Sequence, residues 1–497
     1  MSKDSINTSI SSERAYALGV PRIPSLLAAS LKASNTALSR HFPMAQVEGL
    51  LKELAMSRDP LSVDLGALSE LYAPLAQKFS EALPGRTFYD RREAPAPFGN
   101  WTKGGVEASA VAQMKDACEL PVSVGGALMP DAHTGYGLPI GGVLAVRNAV
   151  IPYAVGVDIA CRMRVSVLDI PYGDLEREEG RLTEAIESET SFGVGARFYG
   201  PALRHHPVMD DPLWQSSPVL RPVSAKALNQ LGSSGSGNHF VEFGRLDVPE
   251  DIDEPTICLK KGTYLALLSH SGSRGAGETV AKYYSALAAS LHPELPENLK
   301  RLAWLDLGTE YGRQYWDAME LMGRYASANH ELIHESILRH LGASCLGFVE
   351  NHHNFAWKEN YGGEDLIVHR KGATPASEGV LGVIPGSMGT PGFIVRGKGS
   401  EASFRSCSHG AGRKMSRSEA FRTLKKDDML SILDREGVKL LSGPLDESPE
   451  VYKDIREVIA AQQDLIDVLA TFHPKLVKMA PEGSEPSWRQ KKAAAKS

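Results

Sequence analysis

Six of the fifteen histidines stand among glycines and small polar residues. They are His133 in MPDAHTGYGLPIGG, His239 in LGSSGSGNHFVEF, His270 in SHSGSRGAG, His352 and His353 in ENHHNFAW, and His409 in SCSHGAGRK. Asp158 and Cys161 join them in VGVDIACRM. Thiolate, imidazole and carboxylate together make the ligand set of a borderline transition metal such as zinc or manganese. Asp158 and Cys161, three apart after an expected apolar strand, can face one cation if that strand turns there, and a thiolate can bridge two metals. Taken singly, a histidine beside glycine is a hydrogen-bonded loop residue, and Cys161 is a small buried hydrophobe. Their recurrence in several loops of one chain argues for a shared site.

The same loops suit anions. Successive backbone N–H groups in glycine-rich turns form concave nests for phosphate oxygens. Gly232–Gly237 (GSSGSG), Gly272–Gly277 (GSRGAG), Gly386–Gly392 (GSMGTPG) and Gly410–Gly412 (GAG) are candidates, although each alone also reads as a tight turn. Neither GxxxxGK[ST] nor a dinucleotide-binding GxGxxG after a strand occurs. Asn238 and Asn354 can donate amide hydrogens to a phosphate, and the guanidinium forks of Arg274 and Arg413 match phosphate geometry.

A different chemistry is written at His330-Glu331-Leu332-Ile333-His334, a literal HExxH of the zinc metalloproteases. On a helix His330 and His334 share a face with Ala326, Ile337 and Leu341. That face serves either two ligands aimed into a cleft or two polar side chains tucked against a core.

The elements that must position these residues are of mixed type. Leu26, Leu27, Leu31, Val47, Leu50, Leu51 and Leu54, then Leu68, Leu71, Leu75 and Phe79, follow helical spacing over about 23–84. This helical region ends at Pro84-Gly85, and Ala-Pro-Phe-Gly-Asn at 96–100 marks a boundary. Beyond it short apolar runs (Ile140–Val146, Met163–Leu168, Tyr264–Leu268) alternate with glycine-rich turns and read as buried strands. Long helices are expected over about 311–341 and 448–471. Residues 1 to about 20 read as a loose polar arm, and the tail from Pro481 as mobile. The fold class is α+β.

At 497 residues with 42% hydrophobic content the chain can bury a sizeable core, which excludes wholesale disorder. There is no run of 18 apolar residues, and the stretch MSKDSINTSISSERAY has no apolar h-region and does not read as a signal peptide. Five scattered cysteines are no disulfide framework and suit a reducing cytoplasm. A net charge of −6 argues against a general electrostatic coat for nucleic acid. A local basic stretch runs from Arg370-Lys371 through Arg413-Lys414 to Lys425-Lys426, and it reads equally as a solvated face.

MPDAHTGYGLPIGG, VGVDIACRM, LGSSGSGNHFVEF, HSGSRG, NHHNFAW, HRKGAT, VIPGSMGT and SCSHGAGRKMSR follow one another between about residues 97 and 479. In content and order they resemble the RtcB family of RNA-splicing ligases. The resemblance implies that family's own α+β fold, with β-sheets flanked by helices and the active site in glycine-rich loops. The ligase domain would span 96–480, after a mostly helical extension at 1–95 and before a flexible tail at 481–497. It implies joining of an RNA 3′-phosphate or 2′,3′-cyclic phosphate to a 5′-hydroxyl, using GTP and two manganese ions, in RNA repair or tRNA splicing. Asp158, Cys161, His239 and His270 would be metal ligands, with Cys161 bridging. Because the family pattern is His followed by Asn, His353 rather than His352 would complete the set. His409 would take GMP as a phosphoramidate. Asn238 and Asn354 would touch phosphate, Glu242, Ser387 and Lys478 would hold the guanosine, and Gly410 and Gly412 would shape the nucleotide loop. Arg274 and Arg413 would contact RNA or phosphate. The partners implied are RNA with those ends and an archease-type activator, in the cytoplasm and away from membranes. On the residues alone, a zinc protease and a non-catalytic RNA-binding relative stay open.

Overall fold

The computed structural model describes residues 9–83 and 87–483. The expected helix end at Pro84-Gly85 and nearly all of the expected mobile tail lie outside the described residues.

Helices Pro24–Ser39, Met44–Met56 and Ser69–Ala82 bear out the helical spacing near the start of the chain. Their apolar faces do not close on themselves. Leu26, Leu51, Tyr72 and Phe79 belong to one buried cluster with Tyr284, Tyr315 and Met322 of helices Arg274–Leu291 and Glu310–Leu341. The expected loose arm is corrected over its described part. Helix Ser12–Ala17 forms there, and Ile10, Ala15, Leu18 and Val20 are buried in the same cluster. Four apolar side chains among the serines, with Ile10 N–H donating to Asn35 Oδ1 at 2.7 Å, tie the segment down.

Two larger sheets follow. One has the order Phe98–Asn100, Ser123–Tyr136, Leu138–Val146, Glu364–Lys371, Asn354–Tyr361. The main path of the other runs Leu381–Ile384, Gly392–Gly397, Ile466–Met479, Phe240–Val248, Gly262–Ser271, Arg162–Leu168, Cys345–His352, Ile257–Leu259, Ile252–Glu254. Alternation along Gly262–Ser271 sends Leu265 and Leu267 toward Ile333 and Ile337 of the long helix. Ala266 and Leu268 face the opposite way and meet Val165, Leu246, Val349, Ile394 and Phe472 from across the same sheet, which therefore curls around its own inner face.

The long helix Glu310–Leu341 matches its expectation: Thr309 caps it by accepting from Gly312 N–H, and Gly342 ends it in the left-handed region. The expected helix over 448–471 does not form. Only the turn Pro449–Val451 and helix Ile455–Ala460 occur, and the chain then enters the strand Ile466–Met479. From Ile466 the pattern Ile-Asp-Val-Leu-Ala-Thr-Phe fits a two-residue period, and pairing with Gly392–Gly397 and Phe240–Val248 decides between the periods. Among the described residues no helix is long and apolar enough to cross a membrane.

Candidate active site

Every candidate metal ligand lies at one end of the curled sheet. Cys161 precedes strand Arg162–Leu168, His239 precedes Phe240–Val248, and His270 is the second-last residue of Gly262–Ser271. His353 sits between strand Cys345–His352 of this sheet and Asn354–Tyr361 of the other. Cross-strand pairing of His270 with both Met163 and Phe240 sets the lateral alignment. Asp158 reaches the group through a tight turn, in which its carbonyl accepts from Cys161 N–H at 3.2 Å and Ala160 adopts a φ of 56°.

The donor atoms crowd together. Cys161 Sγ lies 3.0 Å from His270 Nε2 and 3.3 Å from His239 Nε2. His270 Nε2 is 3.3 Å from His353 Nε2, and His239 Nε2 is 2.9 Å from Asp158 Oδ2. His270 donates its Nδ1 hydrogen to the Asn238 carbonyl at 2.9 Å, which leaves a lone pair on Nε2 facing the sulfur and the second imidazole. Such a collection of lone pairs, all but Asp158 buried, fits a shared cation. Burial and the Asp158 carboxylate push the Cys161 thiol well above its usual range, so ionising the sulfur calls for positive charge at the cluster. His352 turns away: its ring stacks on Trp357 at 5.0 Å and its Nδ1 accepts from Arg162 at 3.2 Å.

His409 stands beside this group, its ring centroid 5.0 Å from that of His353. It follows the short strand Ser406–Ser408, which pairs with Ala373–Pro375. Its Nδ1 donates to Asp131 Oδ2 at 2.6 Å, and the same oxygen accepts the backbone N–H of His409 at 3.1 Å and of Gly410 at 3.3 Å. Lys453 straps this segment by donating to the carbonyls of Pro130 and Ala132, one on each side of Asp131. Burial opposes ionisation of Asp131, but His409 and Lys453 outweigh it and hold the carboxyl below its ordinary value. Gly412, at φ 72°, lets the loop close over this pair, because a Cβ there would stand 2.0 Å from the Asp131 carbonyl oxygen.

Asp158, Cys161, His270, His353 and His409 line one cavity of about 610 Å³. Asn238, Glu242, Asn354, Ser387, Gly410, Gly412 and Arg413 line it as well. Glu242 faces inward from Phe240–Val248, where burial pushes its carboxyl well above the usual range and favours a protonated acid. Arg413 is engaged by its own protein, donating to Asp446 O at 2.8 Å and facing Glu447 at 3.4 Å.

Two expected members stand apart. Val477 and Met479 line the cavity, so strand alternation turns Lys478 to the opposite face, beside Val241. Its Nζ reaches the carbonyls of Ile186 and Glu187, each at 3.5 Å, so Lys478 is not brought among the residues that line the cavity. Arg274 lies behind the cavity wall, donating to Ser233 Oγ at 3.2 Å and to Gly193 O at 3.1 Å. The HExxH histidines are buried too. Both contact Ser269 Oγ (His330 Nδ1 at 2.7 Å, His334 Nε2 at 2.8 Å), while Glu331 points outward to His206. They brace the strand that carries His270 and open into no cleft.

Sequence reading did not single out Asp131, although it lies in the motif around His133, and it took Lys371 of HRKGAT only as part of a basic stretch. Lys371 lines the cavity, and burial together with Arg301 brings its ammonium down to about 7. A charged residue flanked by glycine-rich motifs was the available signal in both cases.

The family model described as tRNA-splicing ligase RtcB matches residues 113–479. The RNA-splicing ligase RtcB of Escherichia coli (strain K12) is 35% identical over 407 residues, covering 76% of this chain and 96% of that protein. The RNA-splicing ligase RtcB of Mycobacterium bovis is 31% identical over 402 residues, 67% of this chain and 91% of the relative. The tRNA-splicing ligase RtcB of Methanococcus maripaludis is 29% identical over 425 residues, 71% and 86% respectively.

Proposed function

Since the chain belongs to the RtcB family of tRNA-splicing ligases, we propose that it joins RNA 3′-phosphate or 2′,3′-cyclic phosphate ends to 5′-hydroxyl ends at the expense of GTP, in tRNA splicing or RNA repair. Asp158, Cys161, His239, His270 and His353 hold two manganese ions, which when bound neutralise phosphate charge and polarise phosphoryl oxygens. His409 is the nucleophile. Its Nδ1 hydrogen is committed to Asp131, so the lone pair is on Nε2, the atom that forms a P–N bond with the α-phosphorus of GTP as pyrophosphate leaves. Water first opens a 2′,3′-cyclic end to the 3′-phosphate, breaking the bond from phosphorus to O2′; an oxygen of the RNA 3′-phosphate then takes the guanylate from His409, and the 5′-hydroxyl displaces GMP from the resulting anhydride. Asn238 and Asn354 contact phosphate, the N–H groups of Ala411 and Gly412 line its approach, and Glu242 and Ser387 hold the guanosine.

The observation that supports this reading best is an imidazole oriented by a buried carboxylate, with its ring 5.0 Å from that of a member of the donor cluster. Incubation with labelled GTP and Mn²⁺ tests it. The expected label is labile in acid and stable in alkali, as a P–N bond is, and His409→Ala abolishes it. That variant still seals RNA supplied as RNA-3′-pp-5′-G, because the nucleophile acts only before that intermediate. Label on a lysine, or an undiminished adduct in His409→Ala, overturns the mechanism.

A further inference from the structure

Tyr136 is a large aromatic residue left 63% exposed at the tip of the hairpin joining Ser123–Tyr136 to Leu138–Val146, and it lines the rim of the same cavity. The guanidinium of Arg301 lies over its ring, 4.6 Å from the centroid, and 5.9 Å from that of Tyr153. Arg301 comes from the turn Lys300–Leu302, pressed onto the hairpin so closely that a Cβ on Gly137, at φ 72°, would stand 3.0 Å from the Arg301 carbonyl. From within the cavity Lys371 donates to the Tyr136 carbonyl, and its Nζ lies 5.4 Å from the Tyr153 centroid. The tip is thus held from two sides, while its ring keeps most of its surface in water.

We propose that Tyr136 and Arg301 form a stacking platform for a nucleobase of the RNA strand entering the cavity. The assignment rests on the ligase reading above. A guanidinium over one face of the ring leaves the other face to a flat π-system, and both groups stack on bases. The charge favours the same occupant: the Arg301 guanidinium sets a fixed cation against the ring, which suits a polyanion better than an apolar peptide. Stacking is indifferent to base identity, so the platform positions the strand without reading its sequence.

The test uses the full chain with Mn²⁺, GTP and short RNAs, intact or with the terminal nucleotide made abasic. Guanylylation of His409 without RNA is the internal reference. Tyr136→Ala is expected to raise the KM for RNA about 10-fold, well beyond any change in the RNA-free adduct rate, and Tyr136→Phe is expected to keep the wild-type KM. In the wild type the abasic substitution raises KM by a similar factor, and in Tyr136→Ala it adds nothing further. An unchanged KM in Tyr136→Ala, or an abasic end bound by the wild type as tightly as an intact one, overturns the platform alone. A parallel fall in adduct formation in Tyr136→Ala overturns it in favour of a purely structural tyrosine. A wild-type chain that forms no adduct overturns the ligase reading and the platform with it. The abasic comparison needs no variant, so it decides even if Tyr136→Ala does not fold.

Discussion

His409 and Asp131 are 278 residues apart in the chain and 2.6 Å apart in the fold. The carboxylate takes three hydrogen bonds on one oxygen, two from backbone N–H groups of the nucleophile loop and one from the imidazole itself. It therefore fixes both the path of the loop and the tautomer of the ring.

Asp131→Asn is expected to slow formation of the guanylate adduct about 10²-fold or more, since the amide no longer enforces the tautomer with its lone pair on Nε2. Bound manganese is unaffected, because Asp131 is not among the clustered donors. The check is the rate of label incorporation from GTP beside metal content, and an unchanged rate refutes the orienting role.

Cys161→Ala removes the sulfur that contacts both His239 and His270. The variant is expected to fold, to lose manganese, and to lose both adduct formation and ligation. Its metal stoichiometry and melting curve are the measurements. Full occupancy in a folded Cys161→Ala protein rules out ligation by the thiolate.

Replacing His330 and His334 together by leucine strands the hydroxyls of Ser269 and Ser166. Each orphaned buried group costs about 1–3 kcal/mol. Denaturant titration should show that loss, with manganese still bound by the folded variant. A stable double variant without metal would instead favour the zinc-protease reading of the HELIH segment.

His369 is fully buried, its Nε2 accepts the Ile151 N–H at 2.9 Å, and burial brings its imidazole down to about 4. The unfolded chain protonates this residue near the ordinary histidine value of about 6.5. From there down to about pH 4 the unfolded state takes up a proton that the folded state refuses. Stability is therefore complete above the unfolded value and falls with pH across that window, by roughly 3 kcal/mol from this group at its lower end. His369→Gln keeps an acceptor without the titration, so its stability should depend less steeply on pH between 6.5 and 4. Equal slopes for the two proteins would refute the assignment.

The donor cluster was legible because its residues recur: one histidine beside glycine is an ordinary loop residue, but histidine, cysteine and aspartate in several glycine-rich motifs of one chain point to a shared site. Asp131 was not, since an acidic residue gains its meaning only from the imidazole brought against it across the fold. Lys478 shows the converse. Its type suits a nucleotide, but which face a strand presents depends on register, and here Val241 and Val477 decide it. From Ile466 onward the apolar residues satisfied two periods at once, and only the neighbouring strands chose between them.

The strand Ile466–Met479 carries a consequence for how the molecule is made. It is the last strand in sequence among the described residues, yet it lies between Gly392–Gly397 and Phe240–Val248. Until it emerges from the ribosome, those two strands each present a row of unpaired N–H and C=O groups, and Val477 and Met479 are missing from the cavity wall. The sheet is therefore completed after translation of nearly the whole ligase region, as a wedge driven into a gap held open between earlier strands. Chains truncated before residue 466 would expose two sticky edges and aggregate, rather than persist as a partly working enzyme.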